Sequence, residues 1–174
     1  FEDRIWDRGR GARLVRREVP AVAEALAMSG VLFATEAYGT WRDVIEANPD
    51  VMYPGVRERF RGGKAFSGAD YVAAWQRLDR LRADWARATA DCDAVVLPTV
   101  PNMPPSLDRL AADGDHFTAD NLQAPSNTRI GNLMGLPGLT LPTGIPGTGI
   151  SFLGAPGEEE RLLRIGAAAE AALT

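Results

Sequence analysis

The stretch Asn127-Thr-Arg-Ile-Gly-Asn-Leu-Met-Gly-Leu-Pro-Gly-Leu-Thr-Leu-Pro-Thr-Gly144 decides the fold of this chain. It opens as a short helical pattern of polar and apolar residues, breaks at Gly135 and Pro137, and restarts as a compact strand over residues 138–141. A second strand ends in the same way upstream, in Asp93-Ala-Val-Val-Leu-Pro-Thr-Val-Pro101. Two apolar strands that each run out into a Pro-Thr loop predict an α/β sheet with a site at the strand ends.

Outward from this core, a tight Gly-Ile-Pro-Gly-Thr-Gly connection leads to a third strand over residues 150–153. The chain then closes on a helix over residues 158–173, whose acidic first turn favours the helix dipole. Ser67 heads the clearest helix, with Asp70 three residues on as a capping box. Tyr71, Trp75, Leu78, Leu81 and Trp85 recur on one face of it, with Asp79, Arg80 and Asp84 mostly on the other, and it should run to about Ala90. Pro54 opens a short basic helix to Arg61, with Gly62-Gly63 as its expected C-terminal cap. Residues 21–37 read as helix, in one piece or in two broken at Gly30, and residues 40–47 as another ending before Asn48-Pro49. Residues 14–19 could form a short strand, and Pro20 suits a first helical position. Residues 98–124 hold four prolines without periodicity and read as one long loop.

The 174 residues suffice for one domain with its own core, and residues 1–174 are read as a single domain. A net charge of −4 excludes a generic nucleic-acid or anionic-membrane binder. No apolar run approaches the roughly 20 residues that cross a bilayer. One cysteine, Cys92, excludes an intrachain disulfide and fits a reducing, cytoplasmic compartment. The first residue is Phe1, which leads to the expectation that the natural start lies upstream.

Few residues carry chemistry. His116 is the single histidine, so any Ser-His-Asp triad depends on it, and no serine sits in a Gly-x-Ser-x-Gly elbow. One Cys and one His cannot make a common zinc site. The Gly-rich residues 144–149 lack the Lys of a phosphate loop. Asp91 and Asp93 read as turn and cap residues, the Tyr71, Trp75 and Trp85 stripe as core, and Arg57, Arg59, Arg61 and Lys64 as a solvated helix face.

The decisive signal is order. Glu36-Ala-Tyr38 is followed by Tyr53-Pro-Gly-Val-Arg-Glu-Arg-Phe-Arg-Gly-Gly63, the Ser67 and Asp70-Tyr71 helix, and Leu97-Pro-Thr-Val-Pro101. Then come Thr128-Arg-Ile-Gly-Asn132, Gly135-Leu-Pro137, Leu141-Pro-Thr-Gly144 and Gly149-Ile-Ser-Phe-Leu-Gly154. This ordered set, spanning almost the whole chain, resembles the C-terminal half of the amidase signature family. The resemblance implies part of an α/β/α sandwich, with a mixed β-sheet flanked by helices. It implies amide hydrolysis or transfer by a Ser–cis-Ser–Lys triad, with no metal or organic cofactor, and a small-molecule amide substrate.

The chain departs from the family at the catalytic residues. It has no Gly-Gly-Ser-Ser-Gly-Gly-like stretch, and Lys64 adjoins a Gly-Gly turn, so no catalytic residue is assigned to it. The residues that match a substrate-lining segment are Thr128 and Asn132, with Arg129 beside them and Thr99 on the other Pro-Thr loop. Each has a structural alternative: Thr128 and Asn132 as braces of their helix, Arg129 as a surface ion pair. The expectation is a C-terminal portion of an amidase that supplies sheet and pocket wall, as a homo-oligomer or in association with an N-terminal half. The alternatives are a non-catalytic binding or subunit-interaction module on the same scaffold, and an unrelated enzyme using His116.

Overall fold

In a computed structural model the described residues are 12–173, and they fall into two compact units. One is Pro20–Asp84; the other holds the rest of the described chain.

The first unit is helical: α1 (Pro20–Ala27), a π-helical turn (Gly30–Ala34), α2 (Thr35–Ala47), α3 (Pro54–Arg61) and the first part of α4 (Gly68–Ala88). Gly30 therefore does not end the helix; a π turn takes up the irregularity and α2 begins before residue 40. Ala21, Ala25, Leu32, Ile45, Ala74, Leu78 and Leu81 are buried. The α4 stripe is buried at Leu78, Leu81 and Trp85. Tyr71 and Trp75 meet edge to face at 6.3 Å, and the Arg82 guanidinium covers Trp75 at 5.3 Å. At the start of α4, Ser67 N–H donates to Asp70 Oδ2 (2.9 Å) and Asp70 N–H to Ser67 Oγ (3.1 Å), closing the capping box.

Gly62 caps α3, its N–H returning to the Glu58 and Phe60 carbonyls, but without the left-handed turn that glycine usually supplies there. Gly62 stays right-handed at φ −55°, and the chain tightens into a 3-10 turn over Gly62–Ala65. Close packing explains the second glycine, because a Cβ there would lie 2.1 Å from the Ala34 carbonyl oxygen.

The basic cluster is an ion-pair network. Glu46 Oε2 accepts from Arg61 Nη2 at 2.6 Å, and Glu46 Oε1 accepts from Lys64 Nζ (3.3 Å) and the Tyr38 hydroxyl (3.1 Å). Arg61 also donates to Glu58 (2.9 Å), and Lys64 lies 4.9 Å over the Tyr38 ring. The Arg61 guanidinium, helped by Lys64 and Tyr38, holds Glu46 down from 4.5 to about 2. The folded-state value is depressed, so the stabilisation is complete above pH 4.5 and is lost as pH falls toward about 2. Glu46→Gln should therefore flatten the acid limb of the stability curve, read as urea midpoints at pH steps across that window. An unchanged limb would show the network to be inert.

The second unit contains the sheet. Strands β1 (Val95–Pro98), β2 (Gly138–Pro142) and β3 (Gly149–Leu153) pair in the order β1-β3-β2, both pairings antiparallel. The expected α/β class holds, and parallel pairing is not found among the described strands. Alternation divides the sheet's faces. Leu141, Ile150 and Phe152 form a core with Leu162 of the terminal helix Glu159–Leu173. Gly166 of that helix rides so close on β2 that a Cβ would stand 1.9 Å from Leu139 Cδ2. On the opposite face lies Ser126–Met134, where a Cβ on Gly131 would be 3.4 Å from Leu153 Cδ2. Helix, sheet and helix make three layers.

Residues 98–124 are not one loop. Their four prolines all precede Ser106, and α5 (Leu107–Ala112) and α6 (Gly114–Gln123) follow, too short and weakly patterned to show periodicity. Asp113 caps α6, its Oδ1 accepting the His116 N–H at 2.9 Å, and that bond lowers its pKa. Helices α7 (Ser126–Met134) and α8 (Glu159–Leu173) match the expected segments. Residues 14–19 form no strand; residues 14–18 are exposed, and Arg17 pairs with Asp91.

Candidate functional site

The turn that ends α7 builds one wall of a cleft. Gly135 takes a left-handed φ of 69°, and the Leu136 N–H returns to the Gly131 carbonyl at 2.9 Å, after which Pro137 forbids further helix. The chain reverses into β2 and leaves an open cleft of about 280 Å³ between α7 and the sheet. Leu97, Leu136 and Leu153 form its apolar part. Its polar part is Asn127, Thr128 and Asn132 from α7, Thr140 from β2 and Ser151 from β3.

The sheet contributes a row of hydroxyls. Ser151 Oγ lies 2.9 Å from Thr99 Oγ1 on one side and 2.9 Å from Thr140 Oγ1 on the other. Register explains the row. Thr140 is the cross-strand partner of Ser151, and Thr99 continues β1 past Pro98, its N–H donating to the Gly149 carbonyl at 2.9 Å. Ser151 is only 7% exposed, so its two hydroxyl partners compensate the burial of its own. Gly149 lets Thr99 approach, since a Cβ there would stand 2.9 Å from Thr99 Oγ1. Across the cleft, Asn127 Nδ2 donates to the Pro98 carbonyl at 2.8 Å and ties α7 to the end of β1.

Of the residues singled out from sequence, Thr128 and Asn132 line the cleft. Thr128 Oγ1 also donates to the Pro125 carbonyl at 3.0 Å, so it braces its helix and keeps its acceptor lone pairs for the cleft. Thr99 reaches the cleft only through Ser151. Arg129 is half-buried, engaged elsewhere, and not part of the lining. Three polar lining residues are not among those the sequence singles out: Asn127, Thr140 and Ser151. The available signal was the lone hydroxyl of Thr140 and of Ser151 within otherwise apolar strands.

Among the described residues, the lining of the cleft holds no titratable side chain. A serine nucleophile needs a base, and the partners of Ser151 are two threonine hydroxyls. The carboxylates at the start of β1 are ion-paired, Asp91 with Arg17 and Asp93 with Arg161. His116 sits on α6, with its backbone N–H in the Asp113 cap. Among the described residues, no group of three His, Cys, Asp or Glu side chains could hold a metal ion. Nor is any helix among them long and apolar enough to cross a membrane.

A family model described as Amidase matches residues 8–163. The 2-amino-5-chloromuconic acid deaminase of Comamonas testosteroni is 33% identical over 169 residues, covering 92% of this chain and 36% of that protein. A glutamyl-tRNA(Gln) amidotransferase subunit from Salinibacter ruber is 36% identical over 117 residues, 62% of this chain and 22% of its own. Among solved structures, a crystal structure of an amidase superposes with TM-score 0.74 at 26% identity, over 90% of this chain and 37% of that one. Kluyveromyces lactis allophanate hydrolase shares the fold with TM-score 0.82 at 21% identity, over 95% of this chain and 28% of its own. The chain thus spans about a third or less of the length of these relatives.

Proposed function

The chain belongs to the Amidase family, and on that premise we propose that the protein hydrolyses the C–N bond of a linear amide. This chain supplies sheet and one wall of the acyl pocket. The Ser–cis-Ser–Lys triad is then carried by sequence upstream of Phe1. The observation that carries the reading is the uncharged, hydrogen-bonding cleft between α7 and the face of the sheet, built from segments inside the family match.

In this reading both compact units belong to one amidase-type domain of a cytoplasmic enzyme, and the terminal segment docks on the rest of the protein or on a second copy. Thr128 and Asn132 touch the substrate, Thr99 acts through Ser151, and Arg129 stands beside the cleft. The second reading, a binding or subunit module without its own chemistry, draws on the likeness to a component of an amidotransferase.

Ammonia release from a panel of primary amides by the intact protein tests the first reading; no turnover of any amide would leave the second. If Asn132 binds ground state and transition state alike, Asn132→Leu should raise KM about fivefold and leave kcat within about twofold. Equal KM values for the two proteins would remove Asn132 from the pocket.

A further inference from the structure

The face of the sheet that looks into the cleft has one lining position without a side chain. Strand residues alternate between faces, so Gly138 shares the face of Thr140, two residues on, and of its cross-strand partner Leu153. Gly138, Thr140 and Leu153 all line the cleft. The other lining residues of the sheet, Leu97 and Ser151, both carry side chains.

Glycine weakens a strand, and the usual reasons to find it there are a left-handed backbone or a close approach of packed chain. Neither applies at Gly138. Its φ lies outside the left-handed region that Gly135, Gly144, Gly147 and Gly157 occupy. A Cβ built on it would meet one atom within 4 Å, Leu153 Cδ2 at 3.4 Å. That is ordinary contact with the flexible end of a side chain. At Gly63 and Gly166, by contrast, a Cβ would collide with a neighbour at 2.1 and 1.9 Å. Gly138 is exposed, and its missing side chain leaves open space on the cleft side of β2. That space adjoins the apolar wall of Leu97, Leu136 and Leu153.

We infer that Gly138 is a specificity-determining position: the bare strand beside Leu153 seats the bulk of a ligand's apolar group, and the residue at 138 sets how large that group can be. This rests on the reading of the cleft as a substrate-pocket wall, and it names the feature that selects acyl size there. A steric limit operates in an open cleft as in a closed one, because it needs contact and not the exclusion of water.

Benzamide and propionamide, which differ only in the group on the carbonyl, provide the test. Each is given to the intact protein and to its Gly138→Ala and Gly138→Val variants. Both side chains fit the backbone and the free space, so neither variant should unfold at a lower urea midpoint than the wild type. A single carbon in an apolar pocket changes discrimination by about tenfold or more. Gly138→Ala should therefore lower kcat/KM for benzamide about tenfold, and Gly138→Val further. Both should leave propionamide within about twofold, with the benzamide loss carried by KM. Equal losses on the two amides overturn the inference, as does a Gly138→Val protein that handles benzamide like the wild type. A lowered midpoint with both amides unaffected also overturns it, by placing another chain segment over Gly138. The amidase reading fails separately. If the intact protein releases no ammonia from either amide, benzamide is titrated against the NMR signals of Thr140, Ser151 and Leu153. Saturable shifts that Gly138→Val weakens about tenfold then keep the inference and lose the activity. Shifts that are absent, or equal in the two proteins, overturn the inference itself.

Discussion

Phe152→Ala is expected to lower the unfolding free energy of the chain by about 3–5 kcal/mol, the usual cost of emptying a fully packed aromatic site. Phe152 is 1% exposed at the centre of the middle strand, with Leu141, Ile150 and Leu162 around it. Its strand is paired on both sides, so the neighbours cannot collapse into the space without breaking ladder hydrogen bonds. Urea unfolding of the two proteins measures the loss. Leu163→Ala on the same terminal helix is the control: Leu163 is 61% exposed, and its removal should stay within about 0.5 kcal/mol. A Phe152→Ala protein no less stable than that control would refute this account of the core. The strand matters to function as well as to stability. Phe152 and Ser151 are consecutive and point to opposite faces, so the packing of one side holds the hydroxyl row of the other.

Gly63→Ala is expected to cost about 3 kcal/mol, whereas Gly62→Ala should be neutral or stabilise by up to about 1 kcal/mol. The two glycines are adjacent, and sequence alone treats them alike. At Gly63 a methyl group would lie 2.1 Å from the Ala34 oxygen and 2.6 Å from its carbonyl carbon, and both are backbone atoms that no rotamer change can move. At Gly62 nothing lies within 4 Å and φ is −55°, which alanine adopts freely. Thermal and urea unfolding of the pair give the answer. Equal effects at both positions would mean that the π-helical turn and the 3-10 turn do not meet as described.

Some of this was legible in the residues. Helices with strong punctuation were read almost to the residue: Pro54 to Arg61, Ser67 with Asp70, and the Gly135-Leu-Pro137 stop. Proline and glycine act within one or two residues, so their consequences are local. Helices α5 and α6 were hidden because six to ten residues give too few turns for a hydrophobic period to emerge. Residues 14–19 have the composition of a strand and form none, because β propensity says nothing about whether a partner strand exists.

The site divides along the same line. Thr128 and Asn132, which the resemblance to the family's substrate-lining segment points to, both line the cleft. Arg129, their neighbour in the matching segment, and Thr99, on the other Pro-Thr loop, do not line the cleft itself. Ser151 and Thr140 gave only the faint signal of a hydroxyl in an apolar strand, since their importance comes from partners 52 and 11 residues away.

By itself, then, the sequence determined the family, the order of the three strands and of the strongly punctuated helices, and the turn that ends the helix at Gly135. These are properties of neighbours along the chain. The tertiary structure alone decided that Thr99, Ser151 and Thr140 form one row. Cross-strand register, set by how three separated segments pair, brings their hydroxyls to hydrogen-bonding distance, and no local propensity encodes it.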